Sequence, residues 1–234
     1  MVRSVLFHAL WACWTLLIGL VGMPLLCSQR AIWWLCRQWA QGSLWLLKHV
    51  AGIHSEWRGH ANPSPRMIYA CKHQSTWETL VLWCVLPNPI FVLKRGLYLI
   101  PIFGWYLWRS GQIAIDRKGG KRTVEQINSR AAQAIAEGRP IVIFPEGTRV
   151  AVGAPTHYHR GIAYLSQHLG VPVVPMAINA GAFWSPRRRG MRAGTAIIEL
   201  LPPMPACSDD IAGWLGTLET QIETASAALL PPEA

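Results

Sequence analysis

The sequence predicts an α/β fold: a mixed, largely parallel sheet covered by helices, preceded by a membrane-associated two-helix segment. Three observations carry this reading. Beyond residue 60, short apolar runs alternate with helical patterns. Before it, no charged side chain lies between Arg3 and Arg30. Hydrophobic residues make up 51% of the 234 residues against 15% charged, which excludes a disordered chain. The expected organisation is a membrane anchor and interfacial helix over residues 1–60 and one globular domain over 61–234.

The apolar run at 5–27 would reach roughly 35 Å as a helix, enough for a hydrocarbon core of about 30 Å. It is longer than a signal-peptide core, and no clear small-x-small cleavage site follows. Gly19, Gly22 and Pro24 are where such a helix would kink, which leaves shallow insertion as the alternative to a span. In the next segment Ile32, Leu35, Cys36, Trp39, Leu46, Leu47, Val50 and Ile53 share one helical face, opposite Arg37, Gln41 and Lys48. Trp33, Trp34 and Trp45 lie nearer its borders, where indole rings suit the headgroup level. Arg30 and Arg37 outnumber Arg3 across the apolar run, so the positive-inside rule puts the body in the cytoplasm, at the inner membrane.

Strands are expected at 67–71, 90–93, 112–115, 141–144, 173–178 and 195–200. Helices follow from the face Val124, Ile127, Ala131, Ala134 and Ile135, from 158–169, and from a last segment begun by Ser208 or Asp209. The charge is polarised. Residues 1–192 hold all 22 Lys and Arg against 6 acids, whereas 193–234 hold 6 acids and no base. A basic body suggests nucleic acid, an anionic membrane or phosphorylated substrates, and nucleic acid leaves the apolar amino terminus unexplained. The six Cys form no C-x-x-C pair, which argues against a disulfide framework or a Cys-based zinc site.

In sheets of this class chemistry gathers beyond the strand ends. The first body strand runs into Lys72-His73-Gln74-Ser75-Thr76-Trp77-Glu78, where Ser75 or Thr76 would cap a helix. Glu78 in that helix's first turn would orient the His73 imidazole and free its other nitrogen to take a proton. Ser75 lacks the surroundings of a nucleophile elbow. Phe144-Pro145-Glu146-Gly147-Thr148-Arg149 follows a very apolar strand, with Thr148 and Arg149 as donors suited to a phosphate. A third cluster, Lys94 to Gly104, again places cations just after a strand. His157 and His159 form an H-x-H pair without a nearby acidic or Cys partner in sequence, and read as a solvated loop.

Together these clusters resemble, in order and spacing, the glycerolipid acyltransferases, in particular the bacterial 1-acylglycerol-3-phosphate O-acyltransferases. The family's His and Asp, with four residues between them, correspond to His73 and Glu78, with Glu for Asp as a departure. Lys94, Leu97, Pro101 and Gly104 match the second block, although Gly96 replaces its usual Glu. Residues 111–117 are similar to the strand and Asp-Arg pair that follow; Glu146 to Arg149 match the third block, with Val150 where Ser is common; residues 171–175 resemble the fourth.

The resemblance implies that His73 is the general base and Glu78 its orienting partner. It implies that Lys94, Arg149, Thr148, Gly147 and Glu146 hold the acceptor phosphate. The reaction would be direct attack of a lysophosphatidic acid hydroxyl on an acyl-CoA or acyl carrier protein thioester, giving phosphatidic acid without metal or cofactor. Arg187, Arg188, Arg189 and Arg192 are candidates for contact with the bilayer or an acidic carrier protein. Two alternatives stand beside this one: the same chemistry on another lysolipid, such as a lyso-amino-acid lipid, and a non-catalytic membrane-surface protein.

Overall fold

The computed structural model describes residues 2–59, 64–115, 120–185 and 190–232. Two helices come first, α1 (Val2–Val21) and α2 (Gln29–Leu46), joined by a 3-10 turn at Met23–Cys27. The chain then alternates: β1 (Ile53–Arg58), β2 (Ile68–Cys71), α3 (Trp77–Val85), β3 (Ile90–Lys94), α4 (Phe103–Arg109), β4 (Ile113–Ile115), α5 (Gly120–Ala136) and β5 (Ile141–Ile143). It ends with α6 (Gly161–Leu169), β6 (Val173–Ile178), β7 (Gly194–Leu200) and α7 (Ile211–Ala228).

The strands form one seven-stranded sheet in the order β1-β7-β6-β2-β5-β3-β4, parallel except for the β6–β7 pair. Its central strands are apolar on both sides, as a sheet covered on both faces requires. Tyr69 and Cys71 of β2 pack with Trp77, Leu80, Val174 and Met176 under α1–α3. Their neighbours Ile68 and Ala70 point the other way, toward Ala131, Ile162, Leu218 and Ile222 of α5–α7.

The expected mixed, largely parallel sheet is therefore present, with one strand more than the sequence suggested. Ile53, placed above on a helical face, instead opens β1, because the helical stretch ends at Ala51 and Gly52 turns the chain at φ 73°. β1 pairs with β7 from Ile53↔Gly194 to Arg58↔Glu199. The sheet thus begins before residue 60. Two helix starts also differ: α6 begins at Gly161, leaving Tyr158 in the loop before it, and α7 is capped by Asp210, whose carboxylate accepts from Gly213 N at 2.9 Å.

The first helix packs on the body along its whole length. Ser4, Phe7, Trp11, Trp14, Ile18 and Gly19 form its inward stripe at helical spacing. At one end Ser4 Oγ accepts from Met191 N at 2.8 Å, and the Phe7 ring meets Trp184 edge to face. At the other, the Tyr106 hydroxyl donates to Gly19 O at 2.8 Å. Gly19 and Gly22 serve close approach: a Cβ on Gly22 would lie 2.2 Å from Leu35 and 3.0 Å from the Tyr106 hydroxyl. The outward face is apolar and exposed, including Val2, Leu6, Leu10, Leu17 and Val21.

Three arginines fasten α2 and the turn before it. Arg37 donates to the carbonyls of Trp83 and Leu86 at the end of α3, and Arg109 to those of Leu26 and Cys27. Arg139, buried, donates to Asn88 O at 3.1 Å and Ser110 O at 2.9 Å and lies 4.5 Å over the Trp33 ring. Burial lowers its pKa to about 10. Hydrogen bonds from a charged group contribute about 1.5–3 kcal/mol. Arg139→Met should therefore lower unfolding stability by about that amount, and Arg139→Lys should recover only part of it because the fork is lost. Chemical denaturation followed by tryptophan fluorescence checks this; an unchanged midpoint for Arg139→Met would deny the clamp.

Candidate active site

Ser75-Thr76-Trp77-Glu78 has the S-x-x-E pattern of a capping box, set one residue ahead of the N-cap of α3, Thr76. Ser75 Oγ accepts from Trp77 N at 3.3 Å, and Glu78 reaches back so that its Oε1 accepts from Ser75 N at 2.7 Å and from Gln74 N at 2.8 Å. The same oxygen lies 2.7 Å from His73 Nδ1. Since this oxygen already serves as the acceptor of two backbone N–H groups, Nδ1 donates to it, and in the neutral ring Nε2 is left as an acceptor. Capping boxes use Glu or Gln, whose arm can reach the backbone three residues earlier. This accounts for Glu where the resembled family has Asp.

Glu78 is fully buried, and its Oε2 has no hydrogen-bond partner. Its polar interactions are therefore concentrated on Oε1. The imidazole is 15% exposed by side chain and stacks on Phe144, with ring centroids 4.0 Å apart at 18°. One ring edge is thus fixed by a buried carboxylate and one face by an aromatic ring.

The neighbouring strands supply the rest of the site. β2, β5 and β3 are adjacent and parallel, so the loops after Cys71, Ile143 and Lys94 open on one edge of the sheet, about 4.8 Å apart per strand. The loop after β5 turns at Gly147, φ 63°, and its Val150 N donates to His73 O at 2.8 Å. That bond seats Thr148 and Arg149 beside the histidine with their residues exposed. Lys94, also exposed, ends β3.

The spacing of Lys94, Leu97, Pro101 and Gly104 now has a physical basis. A 3-10 turn at Arg95–Leu99 is followed by a γ-turn at Ile102, φ 64° and ψ −62°, with Phe103 N donating to Pro101 O at 2.7 Å. A Cβ on Gly104 would lie 2.2 Å from Tyr98 O, so only glycine lets α4 pack on that turn.

Glu146 differs from the phosphate-binding role expected of it. It is buried; its Oε1 faces Lys72 Nζ at 3.5 Å, and its Oε2 accepts from His73 N at 3.0 Å. A carboxylate engaged in this way supports the histidine from behind, and its charge would repel a phosphate. Sequence reasoning missed Lys72, although a cation between an apolar strand and a histidine was a visible oddity. It also missed Glu223, which pairs with Lys72 across the fold.

Arg192 sits beside Met191, at the junction with the start of α1, and its backbone N donates to Phe183 O at 2.9 Å. Arg187, Arg188 and Arg189 lie outside the described residues, as do Asp116 and Arg117. His157 and His159 have an acidic neighbour after all: α7 brings Glu219 to the shallow cavity that both line. That carboxylate accepts from the Thr156 hydroxyl at 2.9 Å. Among the described residues no group of three or more His, Cys, Asp and Glu side chains is placed to hold a metal.

Glu78→Asp tests the dual use of one oxygen. The shorter arm cannot hold Ser75 N, Gln74 N and His73 Nδ1 together, so turnover should fall about 10–100-fold. The melting temperature should fall as well, because buried donors left unmet cost about 1–3 kcal/mol each. Steady-state kinetics with a thermal melt reads both, and wild-type values for Asp would contradict the arrangement.

Comparison with known proteins gives the family and the fold. The acyltransferase family profile matches residues 54–179, more than half of the chain. A 1-acyl-sn-glycerol-3-phosphate acyltransferase of Pseudomonas aeruginosa is 35% identical over 209 residues, covering 88% of this chain and 81% of its own length. The human 1-acyl-sn-glycerol-3-phosphate acyltransferase alpha is 30% identical over 68% of this chain, which spans 58% of that protein. Among solved structures, the 1-acyl-sn-glycerophosphate (LPA) acyltransferase PlsC of Thermotoga maritima superposes with a TM-score of 0.79 over 97% of this chain and 96% of its own, at 16% identity, and so shows the same fold. With a histidine held by a buried acid at the strand ends of such a sheet, this chain belongs to the 1-acyl-sn-glycerol-3-phosphate acyltransferase family.

Proposed function

We propose that this enzyme acylates the free hydroxyl of 1-acylglycerol-3-phosphate from an acyl-CoA or acyl carrier protein thioester and releases phosphatidic acid. The observation that carries the reading is the placement of His73, oriented by Glu78, on the same sheet edge as the exposed cations Lys94 and Arg149. Among the described residues neither cation has a side-chain hydrogen-bond or ion-pair partner, which leaves both to meet an anion. The names of the relatives agree with the acceptor.

In this reaction His73 Nε2 takes the hydroxyl proton as the oxygen attacks the thioester carbonyl. Glu78, 2.7 Å from Nδ1, stabilises the imidazolium that forms. Collapse of the tetrahedral adduct breaks the carbon–sulfur bond, and the imidazolium returns the proton to the leaving thiolate. No acyl-enzyme is needed. Lys94 and Arg149 hold the acceptor phosphate, Arg149 through two parallel donors and Lys94 as a point charge.

The membrane partner follows from the exposed apolar surface. α1 is the one described helix long and apolar enough to cross a bilayer, with a mean hydropathy of 1.9, yet both of its ends pack on the body. Such a helix fits one leaflet, lying along it, better than a perpendicular span. Trp34, Trp45, Trp105 and Trp108 are exposed and suit the headgroup region beside it. The catalytic domain then faces the cytoplasm at the inner membrane, where acyl thioesters are met. Arg192, next to the start of α1, lies where anionic lipid would be met.

Arg149→Lys separates phosphate recognition from chemistry. It keeps the charge and removes the fork, so kcat/KM for lysophosphatidic acid should fall about 10–150-fold, mainly through KM. The KM for the acyl donor should change far less. Monoacylglycerol, which lacks the phosphate, should be a poor acceptor for both proteins, with little difference between them. Equal damage to both acceptors would assign Arg149 to the fold or the thioester.

A further inference from the structure

Lys72 stands between the last residue of β2 and the base, with a side chain 5% exposed. A buried ammonium needs matching charge. Here two carboxylates distant in sequence provide it. Glu146 Oε1 lies 3.5 Å away in the loop after β5, and Glu223 Oε1 of α7 contacts Nζ directly. The Tyr158 hydroxyl donates to the same Glu223 oxygen at 3.0 Å. From this cluster one bond reaches the base itself: Glu146 Oε2 accepts from His73 N at 3.0 Å. Val150 N holds the carbonyl of the same residue at 2.8 Å. The backbone of His73 is thus held on both sides by the loop after β5, and Lys72 and α7 fix where the carboxylate of that loop lies.

We propose that Lys72, Glu146, Glu223 and Tyr158 form an ionic brace, centred on the buried Lys72, that positions His73 and sets the pH range over which it works. The four are positioning residues; none lies where substrate must sit. The inference rests on the reading of His73 as the base.

One cation faces two carboxylates, and this imbalance makes the brace responsive to pH. The ionisable groups around Glu146 come from three places: Cys71, Lys72 and His73 at the end of β2, Tyr158 before α6, and Glu223 on α7. Burial raises the Cys71 thiol and the Tyr158 hydroxyl well above their ordinary values, so both stay neutral near pH 7. Burial also pushes Glu146 up to about 7, with Lys72 opposing the rise and Glu223 adding to it.

As pH falls through about 7, Glu146 takes a proton, its pair with Lys72 is lost and the base loosens. Removing Glu223 withdraws a negative charge, so Glu146 ionises more readily. Removing Lys72 has the opposite effect.

The test is the pH dependence of kcat with an acyl thioester and lysophosphatidic acid. Glu223→Gln should move the acid limb down by about 1 pH unit, and Lys72→Met should move it up by about as much. At pH 7 Lys72→Met should lose turnover by about tenfold or more while the acceptor KM stays within about twofold. Lys72→Arg, which restores the cation, should bring the limb back toward wild type. A merely structural cluster would lower the melting temperature and leave the limbs in place. Limbs that stay fixed, or that move in the same direction in both variants, would overturn the brace. If Lys72→Met does not fold, Glu223→Gln decides alone, since its side chain is 32% exposed and its substitution leaves Lys72 paired with Glu146. A wild type without turnover would instead remove the base reading itself.

Discussion

A single carboxylate oxygen organises this active site. Glu78 Oε1 accepts from Ser75 N and Gln74 N and orients His73 Nδ1, all within 2.8 Å. The helix start and the histidine's geometry therefore cannot be separated: whatever fixes α3 also fixes the orientation of His73. A local folding signal, the S-x-x-E pattern, orients the imidazole because His73 lies two residues before its serine. The Phe144 stacking and the two backbone bonds to His73 refine a position that the capping box establishes.

Around that point the fold supplies convergence. Parallel strands all end on the same side, and three adjacent ones deliver His73, the turn carrying Thr148 and Arg149, and Lys94 to one edge. The antiparallel β7 adds nothing to this mouth but gives β1 a partner, which ties the segment after α2 into the sheet. With Arg37, Arg109 and Arg139 donating to carbonyls across the junction, the amino-terminal helices are part of the catalytic body. The exposed apolar face of α1 is thereby held in a fixed position relative to the rest of the fold.

How much of this was legible depended on the range of the signals. The six strands from β2 to β7 were found to within a residue or so, because most are apolar on both faces and bounded by turn residues. β1 was not, since Ile-His-Ser-Glu-Trp-Arg alternates poorly and pairs with one neighbour only, and its Ile53 falls in phase with the preceding helix. Cations just after strands were visible as candidates, and the family resemblance, more than spacing, gave them roles. The partner of Lys72 was out of reach, because Glu223 is 151 residues away. A trace existed nonetheless: α7 carries Glu219 and Glu223 one turn apart in a tail without Lys or Arg, so their partners had to come from elsewhere in the fold. The contacts of Glu146 were not legible either, because its motif suggests a phosphate loop, whereas in the fold it is buried against His73 and Lys72.

The central claim is that His73, held by Glu78, removes the proton from the attacking hydroxyl. His73→Ala measures it most directly, with turnover of acyl thioester and lysophosphatidic acid compared with wild type in the same vesicles. The account predicts that kcat falls by about 10²–10⁴-fold while vesicle association and binding of lysophosphatidic acid are retained. A variant that turns over within about threefold of wild type would contradict it, because general-base assistance accounts for at least about a hundredfold.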